Sequence, residues 1–235
     1  MRVVRPAPTE PMTIALPDHE LRESAVAAVR RLDALGLNRG STGNVSVRAG
    51  GQGAEAGFWI TPSGMGAQEI GADDLAWMGD DGRIGGAWRP STEWPFHRAI
   101  YGTRSDLDAV VHVHSVNATA VACLRRALPA FHYMVAVAGG DSVPCVPYSL
   151  FGTDELSRAV AQAFADRHAC LMANHGLVAG GTSLAHAMQV AVEIEALCET
   201  YLKALAAGEP ALLTREEMAA VIEKFRTYGK ARRAG

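Results

Sequence analysis

A single α/β domain is what the sequence predicts, on three observations. Apolar stripes of helical period alternate with short β-branched runs, and tight-turn signals separate several neighbouring runs. No repeat, low-complexity segment or linker divides the 235 residues. With 49% hydrophobic and 20% charged residues, a chain of this length can bury one sizeable core. Alternation by itself suggests parallel βαβ units, whereas the hairpin-like neighbours argue for antiparallel pairing, so strand direction stays open here.

The elements follow in order. Residues 1–17, with Pro6, Pro8 and Pro11, are expected to form a flexible arm, and 18–235 the domain. A helix starts at Asp18 with the stripe Leu21, Ala25, Ala28, Val29, Leu32 and Leu35, and Gly36 stops it. A polar loop, Asn38 to Asn44, leads into the alternating strand Val45–Arg48. After the turn-rich Gly50–Gly57 comes a second strand, Phe58–Thr61. Asp80-Asp81-Gly82 joins two short strands, Ala76–Met78 and Arg83–Gly85. A helix over Glu93–Tyr101 precedes the β-branched run around Val110, Val111 and Val113. Ser115 can cap a helix to Leu124. Val143–Tyr148, flanked by prolines, reads as an edge or irregular strand. Thr153 caps a helix to about Asp166. Strands over Ala169–Ala173 and up to Ala179 then enclose Asn174-His175-Gly176, and a long helix spans Leu184 to about Leu205. Thr214 and Glu217 form a capping box for the last helix.

Composition narrows the function. A net charge of −3 leaves no electrostatic footprint for nucleic acid, and Lys230–Arg233 reads as a solvated tail. No apolar stretch reaches the roughly 18 residues of a membrane span, and the N-terminus lacks the apolar core of a signal peptide. Cys123, Cys145, Cys170 and Cys198 form no CxxC pair and read as reduced, buried thiols, so a cytoplasmic location is expected.

The chemistry gathers around His112-Val113-His114. Side chains two apart on a strand share a face, roughly 6–7 Å apart at Cα, within reach of one metal ion. His175 is a candidate third imidazole, and three imidazoles with an exchangeable fourth position are catalytic-zinc chemistry. Two hydrogen-bonded core histidines are the plainer alternative. Gly43-Asn44 and Ser63-Gly64 each set a glycine beside a hydrogen-bonding side chain, and Ser91-Thr92 supplies two hydroxyls at a helix start, as an anion site requires, although turns use the same residues. Glu93 stands at a helix start, where it could cap or, near a metal, ligate and act as a base. His97, one turn on, reads as a helix-surface histidine or a partner behind Glu93. Tyr133 is either packing or a proton donor. His19, His168 and His186 read as structural or exposed. No Walker or GxGxxG pattern is present.

Seven ordered blocks, GLNRGSTGNVSVR, ITPSGM, STEWPFHRAIY, AVVHVHSVNATAVAC, FHYMVAVAGGDSVPCVPYSLFGT, NHGLVAG and EKFRTYG, run from Gly36 to Gly229. Through them the chain resembles the class II aldolase/adducin family. That resemblance implies a three-layer α/β/α domain with a central, largely antiparallel sheet, assembled as a homotetramer with sites between subunits. It implies zinc, or another divalent metal, on His112, His114 and His175 with Glu93 as fourth ligand. It implies substrate phosphate on Gly43, Asn44, Ser63, Gly64, Ser91 and Thr92, with Tyr133 reaching a neighbouring subunit's site and Tyr228 helping to close it. Thr92 stands where serine is expected, and the hydroxyl is kept. Gly50–Gly57 is longer than the family leads one to expect.

The implied reaction is reversible cleavage of a ketose 1-phosphate, L-fuculose 1-phosphate first, to dihydroxyacetone phosphate and L-lactaldehyde. A 5-deoxypentulose 1-phosphate is the alternative substrate. A sugar-phosphate dehydratase, epimerase or decarboxylase is a second reading, although Glu93 stands where the 4-epimerases would carry Asp. An adducin-like interaction module is the third, and its expected signature, loss of the histidines, is absent.

Overall fold

The computed structural model describes residues 19–49 and 56–227; the expected arm, most of the Gly50–Gly57 loop, and Tyr228 lie outside them. Among the described residues eight strands form one sheet in the order β4-β3-β2-β1-β5-β8-β7-β6. They are β1 (Asn44–Ala49), β2 (Gly57–Ile60), β3 (Ala76–Gly79), β4 (Ile84–Gly85), β5 (Ala109–Val113), β6 (Cys145–Val146), β7 (Ala169–Met172) and β8 (Gly176–Gly181). Every pairing is antiparallel except β6 with β7. The parallel units suggested by alternation are therefore not the organising principle: β1–β2, β3–β4 and β7–β8 are neighbours along the chain and fold back directly on one another. Proline-flanked β6 is an edge strand, as expected.

The described residues form six α-helices: α1 (His19–Ala34), α2 (Trp94–Thr103), α3 (Val116–Cys123), α4 (Asp154–Ala163), α5 (Leu184–Ala207) and α6 (Arg215–Thr227). Alternate strand residues sort into two cores. Val45, Val47, Val111, Val113, Leu171 and Leu177 pack with α1, α3 and α5 on one side. Phe58, Ile60, Met78, Val110, Met172 and Val178 pack with α2 and α4 on the other. Burial of both faces explains why β5 is apolar on both sides apart from His112, and it yields the three-layer α/β/α arrangement.

Caps decide several boundaries. Thr153 accepts from the Leu156 amide at the start of α4, and Thr214 and Glu217 exchange bonds at 3.1 and 2.7 Å before α6. Ser115 occupies the N-cap of α3, but its buried hydroxyl caps nothing. The Glu195 carboxylate instead accepts from the amides of Asn117 and Ala118, at 2.9 and 2.8 Å. α4 stops three residues earlier than expected and β8 runs two further. Leu35 is exposed rather than part of the α1 stripe. Of the four free thiols, Cys170 and Cys198 are buried as expected; Cys123, at the end of α3, is exposed and Cys145 is half-buried.

Candidate metal centre

Three neighbouring pieces of backbone bring the centre together. His112 lies in central β5, on the face that packs against α2, with its ring edge-on to Phe96. His114 follows just past the strand end, its amide donating to the Asn38 side chain at 3.1 Å. His175 sits in the turn between β7 and β8, where Gly176 allows the closest approach. A Cβ at Gly176 would stand 2.5 Å from the Val113 carbonyl and 3.1 and 3.3 Å from the rings of His114 and His112. Glu93 occupies the N-cap of α2, but its side chain makes no capping bond and turns toward the histidines. The helix-start role considered from sequence is thus not the one it plays.

The ligand atoms of Glu93, His112, His114 and His175 all lie within 4.8 Å of one another. Nε2 of His112 is 2.9 Å from Nε2 of His114 and 3.2 Å from Glu93 Oε2; His175 Nε2 is 3.0 Å from Glu93 Oε1. Four ligands at about 2.0–2.1 Å from a tetrahedral zinc stand about 3.3 Å apart, so the set has nearly the dimensions of a zinc cage. Two further observations fit a cation. Glu93 Oε1 is buried and accepts no hydrogen bond. His112 Nδ1 is 2.9 Å from the Leu177 carbonyl, which can only accept, so the proton is assigned to Nδ1 and the Nε2 lone pair faces the cluster. The cluster could therefore hold a metal.

Electrostatics point the same way. Burial pushes the Glu93 carboxyl upward, but the electrostatic influence of His112 and His175 beside it, at 3.2 and 3.0 Å, outweighs burial and holds the group well below the usual carboxylate range. Burial, followed by the neighbouring charges of His112 and His175, lowers His114 to about 4. An ionised carboxylate beside a neutral imidazole is a ligand set ready for a cation.

Behind Glu93 lies a sealed network. Asn44 Nδ2 donates to Glu93 Oε2 at 2.9 Å and to Ser91 Oγ at 3.0 Å. Asn44 Oδ1 is hydrogen-bonded to Nε2 of His97, whose Nδ1 is 2.7 Å from Ser46 Oγ, itself 2.8 Å from Tyr101 Oη. His97 is wholly buried, so its reading as a surface histidine is overturned: α2 turns this face against β1, where Ser46 receives it. Sequence missed Ser46 and Tyr101, because their partners come from other elements.

In front of the centre opens a cleft of about 340 Å³, lined by the three loops, Gly43-Asn44, Ser63-Gly64 and Ser91-Thr92, and by Glu93, His114 and His175. All three loops thus converge, two of them on glycines with φ near +75°. Tyr133 does not line this cleft; it is half-exposed at the start of a 3-10 turn (Tyr133–Ala138). Tyr148, Phe151 and Asn174 line it without having been singled out, although all three lie inside the sequence blocks quoted above. No helix among the described residues is long and apolar enough to cross a membrane.

Comparison with known proteins adds to this geometry. Residues 23–202 match the family described as Class II Aldolase and Adducin N-terminal domain. A 5-methylthioribulose-1-phosphate/5-deoxyribulose-1-phosphate aldolase of Rhodospirillum rubrum is 46% identical over 209 residues, 89% of this chain and 92% of its own. An L-fuculose phosphate aldolase of Escherichia coli is 43% identical over 212 residues, 90% and 96% of the two chains. A solved L-fuculose 1-phosphate aldolase structure aligns with a TM-score of 0.83 at 38% identity, over 88% of this chain and 96% of that one.

Proposed function

Because the chain belongs to the class II aldolase and adducin family, we propose that it is a metal-dependent aldolase cleaving a ketose 1-phosphate to dihydroxyacetone phosphate and a short aldehyde. The observation that carries this reading is the Glu93 carboxylate held between His112 and His175 at the floor of the cleft. His112, His114 and His175, with Glu93 in the resting site, would hold the metal, zinc first. When bound, that ion would polarise the substrate carbonyl and stabilise charge left after bond cleavage.

The chain's own groups supply the rest. The backbone amides around Gly43-Asn44 and Gly64 and the hydroxyls of Ser63, Ser91 and Thr92 would anchor the phosphate. Binding energy from that remote group would position the reacting bond. As the C3–C4 bond breaks, the electron pair stays on C3 and the C4 oxygen gives up its proton on becoming the aldehyde. Glu93 would exchange the proton at C3, while its link to Asn44 keeps it aimed. Tyr133 does not line its own chain's cleft and is half-exposed, which supports a role at the aldehyde oxygen in a neighbouring copy's site within a homotetramer. Tyr228 would help close that site.

L-Fuculose 1-phosphate, giving L-lactaldehyde, is the substrate we favour. The Rhodospirillum relative, at 46% identity, favours a second reading in which the substrate is 5-deoxyribulose or 5-methylthioribulose 1-phosphate. The deciding experiment is dihydroxyacetone phosphate release from each sugar by the purified protein, before and after chelation and zinc re-addition. Metal-dependent release, fastest with one sugar, is the expected result. Silence on all of them with zinc bound would overturn the aldolase and favour a dehydratase, epimerase or decarboxylase.

A further inference from the structure

Among the described residues, Arg125 and Asn174 are the only non-glycine residues with positive φ, at +55° and +54°. They are 49 positions apart, yet they touch: Arg125 Nε donates to Asn174 Oδ1 at 2.7 Å. Their backbones converge as well. Both amides donate to the Ala122 carbonyl in the last turn of α3, at 3.0 and 3.2 Å. Asn174 belongs to the turn that carries His175, closed by the His175 amide on the Met172 carbonyl at 3.0 Å. Glycine would adopt either conformation without steric cost. A side chain kept at both positions, each bonded to the other, points to a requirement for the side chains themselves.

We propose that Arg125 is a positioning residue for the metal centre: through Asn174 it fixes the turn that presents His175. On one side of that turn Gly176 presses the backbone against His112 and His114; on the other, the Arg125–Asn174 bond and the shared Ala122 carbonyl hold it from α3. The imidazole is thereby set 3.0 Å from Glu93 before a cation arrives. This rests on the aldolase reading only in treating His175 as a ligand.

The test uses the full chain and reads zinc affinity by competition with a chromogenic chelator, together with the visible spectrum of the cobalt-loaded protein. Arg125→Ala is expected to weaken zinc binding 10–100-fold, as loss of a partner behind a ligand does, and to change the cobalt bands. Asn174→Gly keeps the left-handed backbone and removes only the amide; it is expected to match Arg125→Ala, and the double variant to be no weaker than either. Asn174→Asp, which retains an oxygen for Arg125, is expected to keep zinc affinity. Wild-type affinity and spectrum in Asn174→Gly or in Arg125→Ala would overturn the proposal. Thermal melts of each variant separate this effect from unfolding. A wild type that binds zinc but releases no dihydroxyacetone phosphate would sink the aldolase reading while leaving this comparison intact.

Discussion

His97 and Asn44 are hydrogen-bonded to each other with both side chains sealed from solvent, and this one bond orients the site. Asn44 gives its amide hydrogens to Glu93 and Ser91, so its oxygen must be the end facing His97. The proton is thus assigned to His97 Nε2, leaving Nδ1 to accept from Ser46, which in turn accepts from Tyr101. Every donor in the chain points toward Glu93. A neutral imidazole is required, and burial, followed by the charge of His112, supplies it by lowering His97 to about 3.

His97→Phe should break this ordering. Asn44 Oδ1 and Ser46 Oγ would lose a partner in a dry interior, at a cost of about 1–3 kcal/mol each at most. The freed Asn44 amide would no longer be held toward Glu93, and turnover should fall at least about tenfold. Urea unfolding and steady-state rates check the two effects separately. His97→Gln, which can still donate toward Asn44, should recover part of the rate.

The same histidine makes stability depend on pH. The unfolded chain protonates it near pH 6.5, the folded protein only near 3. Between these values the unfolded state binds the extra proton, so stability falls as pH drops, by about 1.4 kcal/mol per pH unit from this group once below 6.5. His114, lowered to about 4, acts in the same direction. Denaturant melts of the metal-free protein from pH 7 to 5 should show this slope, and His97→Phe should flatten it by about one proton.

Gly43 should tolerate no side chain. Its φ is +73°, and a Cβ would stand 2.4 Å from the Asn38 amide and 2.6 Å from the His112 carbonyl. Asn38 is the group that receives the His114 amide. Gly43→Ala should therefore disturb both histidines, with a stability loss on the order of 1–3 kcal/mol and weaker zinc binding. Calorimetric zinc titration and thermal melting are the measurements.

α3 should depend on Glu195 more than on Ser115. Glu195→Ala would strip three hydrogen bonds from the helix start, those of the Asn117 and Ala118 amides and the Asn117 side chain. A loss of about 1–3 kcal/mol is expected, against a small change for Ser115→Ala, whose hydroxyl has no partner. Paired denaturation curves decide between them.

These cases mark what the sequence made legible. Thr153, Thr214 and Glu217 act within three residues of themselves, so pattern alone found their caps. His112 in β5 and His114 just beyond it were legible as a pair because strand period is local. His97 was misread because the residues that bury it, Asn44 and Ser46, come from β1, some fifty positions away. Glu195 and Arg125 act over 78 and 49 positions, and only tertiary packing creates such partners. The mostly antiparallel sheet and the joining of His175 to the other histidines came from family resemblance rather than from spacing.

Holding the metal and moving the proton are separable at this centre. His114→Ala removes one of three imidazoles and opens a hole beside His112; bound zinc and dihydroxyacetone phosphate release should disappear together. Glu93→Gln keeps the size of the side chain and an oxygen for Asn44, and leaves all three histidines in place. It should therefore fold and retain zinc, while losing the group that exchanges the proton at C3. A positioned acid or base contributes about 10²–10⁴-fold, so turnover should fall by that order with zinc content unchanged. Metal analysis beside single-turnover assays checks both variants. Near-normal turnover in Glu93→Gln would assign the base elsewhere, and loss of zinc in that variant would make the carboxylate chiefly a ligand.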